Sequence, residues 1–562
     1  MKQRRILIEE RINTDVLVVG AGAGGLMAAI SAADCGAAVI LCEKGNARRS
    51  GGIGGGNDHF VCYIPEIHGP AFRDTFIKEN MSELADEDLV CKFVDLSHQV
   101  LQKWENWGIK LKTDGHYEFT GHGWPGSSGR IGEPGKTDRT YVHFSDPDLC
   151  VKLEEQVRDK NIRIMNRVMV TELITDQTGR VVGAVGISTR EPTFFVFRAK
   201  TIVINKGVVD AHRLYPPPYL IGYSMAQPGT GDGIMMAYRA GADIQNAEFC
   251  YRQTSLRFGP WAGRGTWIGV ARDSQDKPIA PPYLDKPDAE IGDPAIENPD
   301  AINRVWDVGK GPVWMDTRGI SEEEERYMRW GFESEALLPF LKWVDQEKIV
   351  FKKTRFEFVT MQPRTNIQIR VDANFKTSIE GLYAISPGFL SWSAVGGLVA
   401  GEAAAKEVKH IDSPHQEEQD DKISSLKDTY DELLNRDGLQ FADWREAQWA
   451  IWQVMHCYAL PPLRTESTLT AGYNHLLRLK KLACRTLKAG SQHDLCHSIE
   501  VLNLMDVAEL VILGVRERKE SRDQARRMDF PFTNPALKKL LVITLMQGRP
   551  IFRWERPRRV SE

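Results

Sequence analysis

The pattern of apolar and polar positions near the start of the chain predicts a βαβ unit. Residues 15–19 form an apolar run that leads directly into glycines, and small residues at helical spacing follow. A second apolar run then ends at Glu43. Short apolar runs joined by a helical pattern are typical of parallel strands with a crossover helix. We therefore predict the first such unit over residues 14–44.

The glycine spacing within this unit predicts a dinucleotide site. Gly20 permits the tight turn, Gly22 lets the backbone approach a pyrophosphate, and Gly25 lets helix and strand pack closely. The pyrophosphate would lie at the positive end of the helix dipole. Glu43, at the end of the second strand, can accept a hydrogen bond from a ribose hydroxyl. The alternative is a glycine-rich turn in an ordinary α/β domain.

Later patterns extend the prediction to an α/β chain with an insertion and a helical end. Strand patterns that precede residue 207 form a β-meander feeding back into the parallel sheet, whereas residues 425–520 are almost wholly helical in pattern. We predict six segments: a dinucleotide-binding domain in two parts (1–242 and 356–412), an inserted α+β capping domain (243–355), a linker (413–424), a helical domain (425–520) and an extended basic tail (521–562).

Composition and charge limit the cellular compartment and the kinds of partner that we expect for this protein. A chain of 562 residues suggests about two to four domains, and a net charge of −4 gives no field that favours nucleic acid. The sequence shows no apolar stretch of membrane-spanning length and no apolar signal core at its N-terminus. Its nine cysteines form no CxxC pair and no cluster spacing. We expect reduced thiols, no metal or iron–sulfur cluster of its own, and a cytoplasmic protein.

Several motifs occur in the order of one known family. They are the glycine fingerprint, the glycine-rich loop at 48–58, TIVINKG at 201–207, GTGDG at 229–233 and the R-x-E-S-R element at 518–522. Together they resemble the flavoprotein subunits of fumarate reductase, succinate dehydrogenase and adenylylsulfate reductase over nearly the full length. The sequence RRSGGIGGGND and the stretch around Arg257 look closer to the adenylylsulfate reductase branch.

This resemblance implies FAD, with its contacts spread over six parts of the chain. It implies Gly20, Ala21, Gly22 and Gly25 at the pyrophosphate, Glu43 at the adenosine ribose with Lys44 beside it, Ser50, Gly51 and Gly52 along the flavin, Val170 at the adenine through its backbone, Asp232 near the flavin end, and Ser393 and Val395 at the start of a helix aimed at the flavin. A helix N-terminus there would stabilise negative charge on a reduced flavin.

The chain also departs from the family pattern. Many members carry a histidine that bonds covalently to the flavin, but Arg49-Ser50-Gly51 occupies that place here, so we expect non-covalent FAD. INKGVV replaces the usual ATGG, and AISPG replaces AAGE, so the carboxylate that contacts the ribityl chain is missing.

Four residues are candidates for catalysis. Arg257 aligns with the catalytic-region arginine of the adenylylsulfate branch, and Arg364 stands where the family brings a second residue to its substrate. A guanidinium binds carboxylates and sulfur oxyanions through a planar fork. His143 and His59 can transfer protons near neutral pH. The alternatives are surface or domain-bridging arginines and structural histidines.

These observations predict an FAD-dependent oxidoreductase. We expect two-electron redox of a small anionic substrate and electron exchange with a ferredoxin-like iron–sulfur subunit in a hetero-oligomer, with membrane attachment through a partner left open. Two alternatives remain: an adenylylsulfate reductase α subunit, which converts adenylylsulfate to sulfite and AMP, or a flavin electron-transfer subunit with no substrate of its own.

Overall fold

The computed structural model describes most of the chain. It covers residues 4–54, 57–120, 140–207, 209, 211–216, 228–260, 262, 267–279, 305–306, 308–334, 337–385, 390–411, 419–438, 440–460 and 464–560. Within these ranges, side chains are not described at 57–58, 79–80, 120, 145, 211–212, 251–255, 327, 331, 334 and 360–364.

Eighteen strands and fourteen helices lie in the described ranges. The strands are β1 (Ile8–Val19), β2 (Val39–Glu43), β3 (Asn57–Val61), β4 (Glu118–Thr120), β5 (Tyr141–Asp146), β6 (Arg163–Asn166), β7 (Val168–Thr175), β8 (Val181–Ser188), β9 (Thr193–Asn205), β10 (Ile244–Gln245), β11 (Cys250–Leu256), β12 (Val270–Arg272), β13 (Val313–Asp316), β14 (Arg355–Thr365), β15 (Gln368–Ile369), β16 (Leu382–Ile385), β17 (Leu540–Met546) and β18 (Arg549–Glu555). The helices are α1 (Ala23–Asp34), α2 (Pro65–His68), α3 (Phe72–Asn80), α4 (Glu87–Asn106), α5 (Leu149–Asp159), α6 (Ala211–Leu214), α7 (Asp232–Arg239), α8 (Glu322–Ser334), α9 (Leu338–Gln346), α10 (Leu390–Val408), α11 (Asp420–Asn435), α12 (Trp444–Tyr458), α13 (Glu466–Thr486) and α14 (Gln492–Glu517).

The main sheet confirms the predicted α/β class. Its order is β6-β2-β1-β9-β8-β7, and β16 pairs with β9. The strands β6, β2, β1, β9 and β16 run parallel, whereas β8 and β7 fold back antiparallel as the predicted meander. β1 begins at Ile8, six residues before the predicted unit, and its charged first half pairs with β9. The pattern did not indicate this extension because most of its side chains are exposed.

Two helices of small residues pack closely over this sheet. An ideal Cβ on Gly397 of α10 would lie 2.1 Å from the carbonyl oxygen of Gly24 in α1. One on Gly401 would lie 2.3 Å from the carbonyl oxygen of Ala28. Because both positions lack a side chain, α10 can approach the backbone of α1. This contact fixes α10 beside the glycine fingerprint.

The capping layer has its own sheet and its own core. Its strand order is β11-β14-β13-β12, and Trp267 is buried at the centre of its core. Five phenylalanine rings surround this indole: Phe332, Phe340, Phe351, Phe356 and Phe358. β14 belongs to this sheet, so the boundary expected between 355 and 356 falls at the start of a capping strand.

The C-terminal part differs in detail from the expected linker and tail. α11 already begins at Asp420, inside the segment expected to be a linker. β17 and β18 form a hairpin that pairs with β10, so the tail is not merely extended. The R-x-E-S-R element is buried, with Arg518 ion-paired to Glu248 and Glu520. Within the described ranges, every helix is too short or too polar to cross a membrane.

Candidate cofactor and substrate site

The glycine fingerprint forms a cradle that side chains would fill. Gly20 has φ +94°, a left-handed conformation that favours glycine. An ideal Cβ on Gly25 would lie 1.8 Å from the carbonyl oxygen of Gly20, and one on Gly22 would lie 2.9 Å from Nδ2 of Asn205. α1 has Gly22 as its N-cap, with no side-chain cap and no acidic residue in its first turn. The helix end is therefore suited to an anion such as a pyrophosphate.

Glu43 is held in a fixed position at the end of β2. Its Oε2 accepts hydrogen bonds from the backbone N–H of Ala21 at 2.8 Å and from Oγ of Ser50 at 2.7 Å. Its Oε1 accepts from the backbone N–H of Gly45 at 2.7 Å. These contacts bring together the expected ribose acid, the fingerprint and the glycine-rich loop.

The glycine-rich loop lies directly against the fingerprint. Gly51 has φ +66°, and an ideal Cβ on it would lie 3.2 Å from Cα of Gly22. Gly52 is exposed, and nothing lies within 4 Å of its ideal Cβ. Arg49, which stands where relatives of this type would carry a covalent histidine, donates to the carbonyl oxygen of Pro147 and to Asp148, both at 2.8 Å.

Sequence reasoning missed Asn205 as a residue of the site. When its amide is turned so that the oxygen faces α1, that oxygen accepts from the backbone N–H groups of Gly22 and Gly25 at 3.2 Å each. The signal was present in the departure of INKGVV from the usual family motif, since this asparagine is the second residue of that stretch.

Lys44 is partly buried in a network of anions next to Glu43. Its Nζ lies 2.7 Å from Asp232 and 2.8 Å from Glu500 of α14. Burial lowers the pKa of Lys44, but these two carboxylates more than offset it, and the net shift is upward. Burial raises the pKa of Glu500, yet Lys44, His497 and Arg213 together lower it below its ordinary value. Sequence reasoning missed Glu500 because it lies more than 450 residues from Lys44.

The other residues expected to contact FAD lie on β7, α7 and α10. Asp232, expected near the flavin, contacts Lys44, the neighbour of the expected ribose acid. Val170 is buried in β7, where a bulge interrupts pairing with β8 between Val170 and Glu172. The carbonyl oxygen of Ser393 lies 2.8 Å from an ideal Cβ on Gly24. The expectation that Ser393 and Val395 start their helix was wrong, because α10 already includes Leu390.

His59 and His143 are brought together on one face of a small sheet. They are directly opposite in the antiparallel pair of β3 and β5, and Glu118 of β4 lies opposite His143 on the other side. Phe60, Val142 and Phe119 are buried on the opposite face, because successive side chains of a strand alternate. Nδ1 of His143 lies 3.5 Å from Glu118.

The same face is turned toward the capping layer. The ring of His143 lies 5.2 Å from the ring of Trp330 in α8, and the ring of His59 lies 5.5 Å from that of Tyr141. Two ionisable rings therefore lie at the boundary between the dinucleotide-binding domain and the cap. Such boundaries are common locations of small-molecule sites.

The two arginine candidates lie on or next to the paired strands β11 and β14 of the cap. Arg257 follows β11 and forms an ion pair with Glu357 of β14, and its backbone N–H donates to the carbonyl oxygen of Glu357 at 2.8 Å. The backbone of Arg364 pairs with Tyr251 near the end of β14, but its side chain lies outside the described part. The next residue, Thr365, donates its N–H to the carbonyl oxygen of Val209, which follows β9.

These residues fit FAD. An ideal Cβ on Gly20, Gly22 or Gly25 would lie within 3 Å of Asn205 or of the Gly20 carbonyl oxygen, and α1 begins with no side-chain cap at Gly22 and no acidic residue in its first turn. A carboxylate lies at the end of β2, where an ADP ribose is expected. The fold and site are thus those of an FAD-binding oxidoreductase.

Comparisons with known proteins define the family. The FAD binding domain model matches residues 15–266, and the fumarate reductase flavoprotein C-terminal model matches residues 451–549. One subunit of the fumarate reductase (CoM/CoB) of Methanothermobacter marburgensis is 24% identical over 95% of this chain and 97% of its own length. The L-aspartate oxidase of Acinetobacter baylyi is 23% identical over 94% of this chain and 95% of its own.

Solved structures share the whole fold. Adenylylsulfate reductase from Archaeoglobus fulgidus superposes with a TM-score of 0.79 at 20% identity, covering 100% of this chain and 98% of its own. A quinol–fumarate reductase from E. coli gives 0.77 at 20% identity, covering 98% of each chain. The chain thus carries an FAD binding domain and the C-terminal domain of fumarate reductase flavoproteins, and it is an FAD-dependent oxidoreductase.

Proposed function

We propose that the protein catalyses two-electron redox of a small anionic substrate at the boundary between the FAD domain and the cap. The observation that carries this proposal is the pair His59 and His143 opposite Trp330 of the cap. Bound FAD supplies the electron chemistry, and the chain supplies binding, orientation and proton transfer. The relatives include fumarate reductases, and this favours a carboxylate as the substrate.

Proton transfer is the role that we assign to the histidine pair. Imidazole gains and loses protons near neutral pH, so either ring can deliver or remove the proton that accompanies reduction or oxidation of a substrate. Glu118 lies beside His143 and can hold its ring in one orientation. The boundary with the cap limits water, because α8 covers the histidine face with Trp330.

Binding of the anion is the role that we assign to Arg257 and Arg364. Arg364 belongs to β14 and Arg257 follows β11. These two strands pair with each other, and Thr365 at the end of β14 contacts Val209, which follows β9 of the main sheet. An arginine stays charged at every physiological pH and can hold a carboxylate by two parallel bonds. Arg257 already faces Glu357, so substrate binding requires exchange or sharing of that partner.

We also propose that FAD is held without a covalent bond and that an iron–sulfur protein exchanges electrons with it. Arg49, Ser50 and Gly51 offer no histidine at the family position, and the guanidinium of Arg49 is engaged with Pro147 and Asp148. In the described part, no group of three or more ligating side chains forms a metal cluster site. None of the nine cysteines forms a disulfide, as a reducing compartment such as the cytoplasm would maintain.

Anaerobic flavin spectroscopy tests this proposal. Reduced holoenzyme is mixed with fumarate, enoyl acids or adenylylsulfate, and oxidised holoenzyme with succinate or with sulfite plus AMP. We expect a carboxylate to change the flavin spectrum within turnover time. Bleaching by sulfite only in the presence of AMP would instead identify an adenylylsulfate reductase. If no small molecule reacts and only protein donors or acceptors do, the chain is an electron-transfer subunit without its own substrate.

Partner exchange requires a separate test. We expect affinity purification from the native host to recover an iron–sulfur protein together with this chain. Full activity with soluble dyes and recovery of the chain alone, under conditions that preserve known complexes, would contradict that part of the proposal.

A further inference from the structure

Two histidines at the beginning of α14 lie close together, with ring centroids 4.4 Å apart and ring planes nearly perpendicular. His493 and His497 are four residues apart on the helix, so they share one face. Their Nε2 atoms are 3.3 Å apart. This separation is longer than the usual hydrogen-bond range of about 2.7–3.2 Å. Two nitrogens that each lie about 2.0–2.1 Å from one tetrahedral ion would be separated by about 3.3–3.4 Å.

The tautomer of His497 is set by a carboxylate. Nδ1 of His497 lies 2.6 Å from Oε2 of Glu500, and an ionised carboxylate can only accept a hydrogen bond. Nδ1 therefore carries a proton, and in the neutral imidazole Nε2 presents a lone pair toward His493. Metal-bound histidines typically have this arrangement, in which a carboxylate behind the ring fixes its orientation and raises its basicity.

Neighbouring side chains hold His497 in place, whereas His493 is accessible to solvent. The ring of His497 stacks on Trp444 of α12 with centroids 4.2 Å apart, while the indole N–H of Trp444 donates to Asp494. His493 is exposed, so an ion from solvent can reach the pair. Glu500 is itself fixed by Lys44 and by Arg213. His497 is therefore held in place before any ion binds.

We propose that His493 and His497 form a two-histidine site for a divalent transition metal. Imidazole nitrogens suit Cu²⁺, Ni²⁺ and Zn²⁺, with Cu²⁺ expected to bind most tightly. The described residues offer no cluster of three ligating side chains, so water or an external ligand completes the coordination. The site is separate from the histidine pair at the cap, and it contacts the network of Lys44 through Glu500.

Metal titration of the holoenzyme tests this site. Untagged, chelator-treated protein is titrated with Zn²⁺ and with Ni²⁺ at pH 7.5, and binding is followed by calorimetry. We expect one ion per chain, and we expect His493→Ala to weaken its affinity at least about 10-fold, since one of two protein ligands is lost. His456→Ala is the matched control, because His456 is an exposed histidine on the neighbouring helix α12. It should leave the affinity unchanged.

A second readout distinguishes this site from metal bound elsewhere. Ni²⁺ should raise the unfolding temperature of the unaltered protein and of His456→Ala, but not of His493→Ala. Absence of saturable one-to-one binding would overturn the proposal. Equal binding by His493→Ala would also overturn it and would leave the pair as a hydrogen-bonded surface contact.

Discussion

The two ends of the site are built in different ways. At the fingerprint, Gly20, Gly22 and Gly25 are fixed by close backbone approach, and Glu43 binds backbone N–H groups on both sides. At the boundary with the cap, candidate groups such as His143 are side chains on strands from separate parts of the chain. The fingerprint recognises its cofactor through the protein backbone. In the function that we propose, the boundary with the cap recognises the substrate through side chains, which can change without altering the fold.

A methyl group added at the fingerprint should have the largest effect on FAD binding. Gly25→Ala would place Cβ 1.8 Å from the carbonyl oxygen of Gly20, so the turn between β1 and α1 must open. We expect FAD affinity to fall at least about 100-fold, because the diphosphate loses its close backbone contacts. FAD content after gel filtration, together with circular dichroism, measures the loss.

Gly490→Ala is the matched control for that change. Gly490 is an exposed glycine outside the expected FAD contacts, and an ideal Cβ on it would meet only the side chain of Asp494. We expect its FAD content to equal that of the unaltered protein. Equal FAD retention by both variants would show that the fingerprint does not bind the diphosphate.

The histidine pair should affect turnover and not cofactor content. If His143 transfers the proton, His143→Gln should lower kcat about 100-fold while FAD content stays constant. It should also remove one limb of the pH–rate profile. His59→Gln is the comparison, because His59 lies directly opposite on β3. Unchanged kcat and pH profiles in both variants would assign the pair a structural role.

Arg257 should show a smaller effect, mainly on KM. Arg257→Ala should lower kcat/KM about 10-fold through loss of a charge-assisted bond to the substrate. Glu357→Gln breaks the same ion pair but keeps the guanidinium. It should therefore leave kcat/KM within about threefold of the original value. If the two variants lose activity equally, Arg257 acts only through its contact with Glu357.

The network around Lys44 should give the smallest effect and a defined pH dependence. Glu500→Gln should cost about 1 kcal/mol of unfolding free energy, since Lys44 retains Asp232 and the glutamine oxygen can still accept a bond. The pKa of Glu500 is lowered on folding, so its stabilisation is complete above pH about 4.5 and decreases as pH falls. The gap in unfolding temperature between the two proteins should therefore narrow in acid. A gap that widens would contradict this sign.

Local sequence patterns predicted the glycine fingerprint but not the distant residues that lie near it in the fold. The spacing of Gly20, Gly22 and Gly25 with Glu43 reflects short-range backbone geometry, so it can be read from one segment. Asn205 and Glu500 reach the same region from distant strands and helices, and only the folded chain brings them there. The pairing of Arg257 with Glu357 was missed for the same reason.

The family assignment and the α/β class were predicted correctly, whereas several element bounds were not. β1 extends through charged residues because an exposed strand end needs no apolar pattern. α11 begins at Asp420, inside the segment predicted to be a linker. These differences arise where tertiary pairing overrides local periodicity.

Cofactor content tests the central claim most directly. The protein is purified without added flavin, denatured in acid, and the supernatant is analysed by chromatography against FAD and FMN standards. The account predicts about one FAD for each chain, all of it released because no covalent bond is expected. Recovery of FMN, or of no flavin even after incubation with FAD, would contradict it.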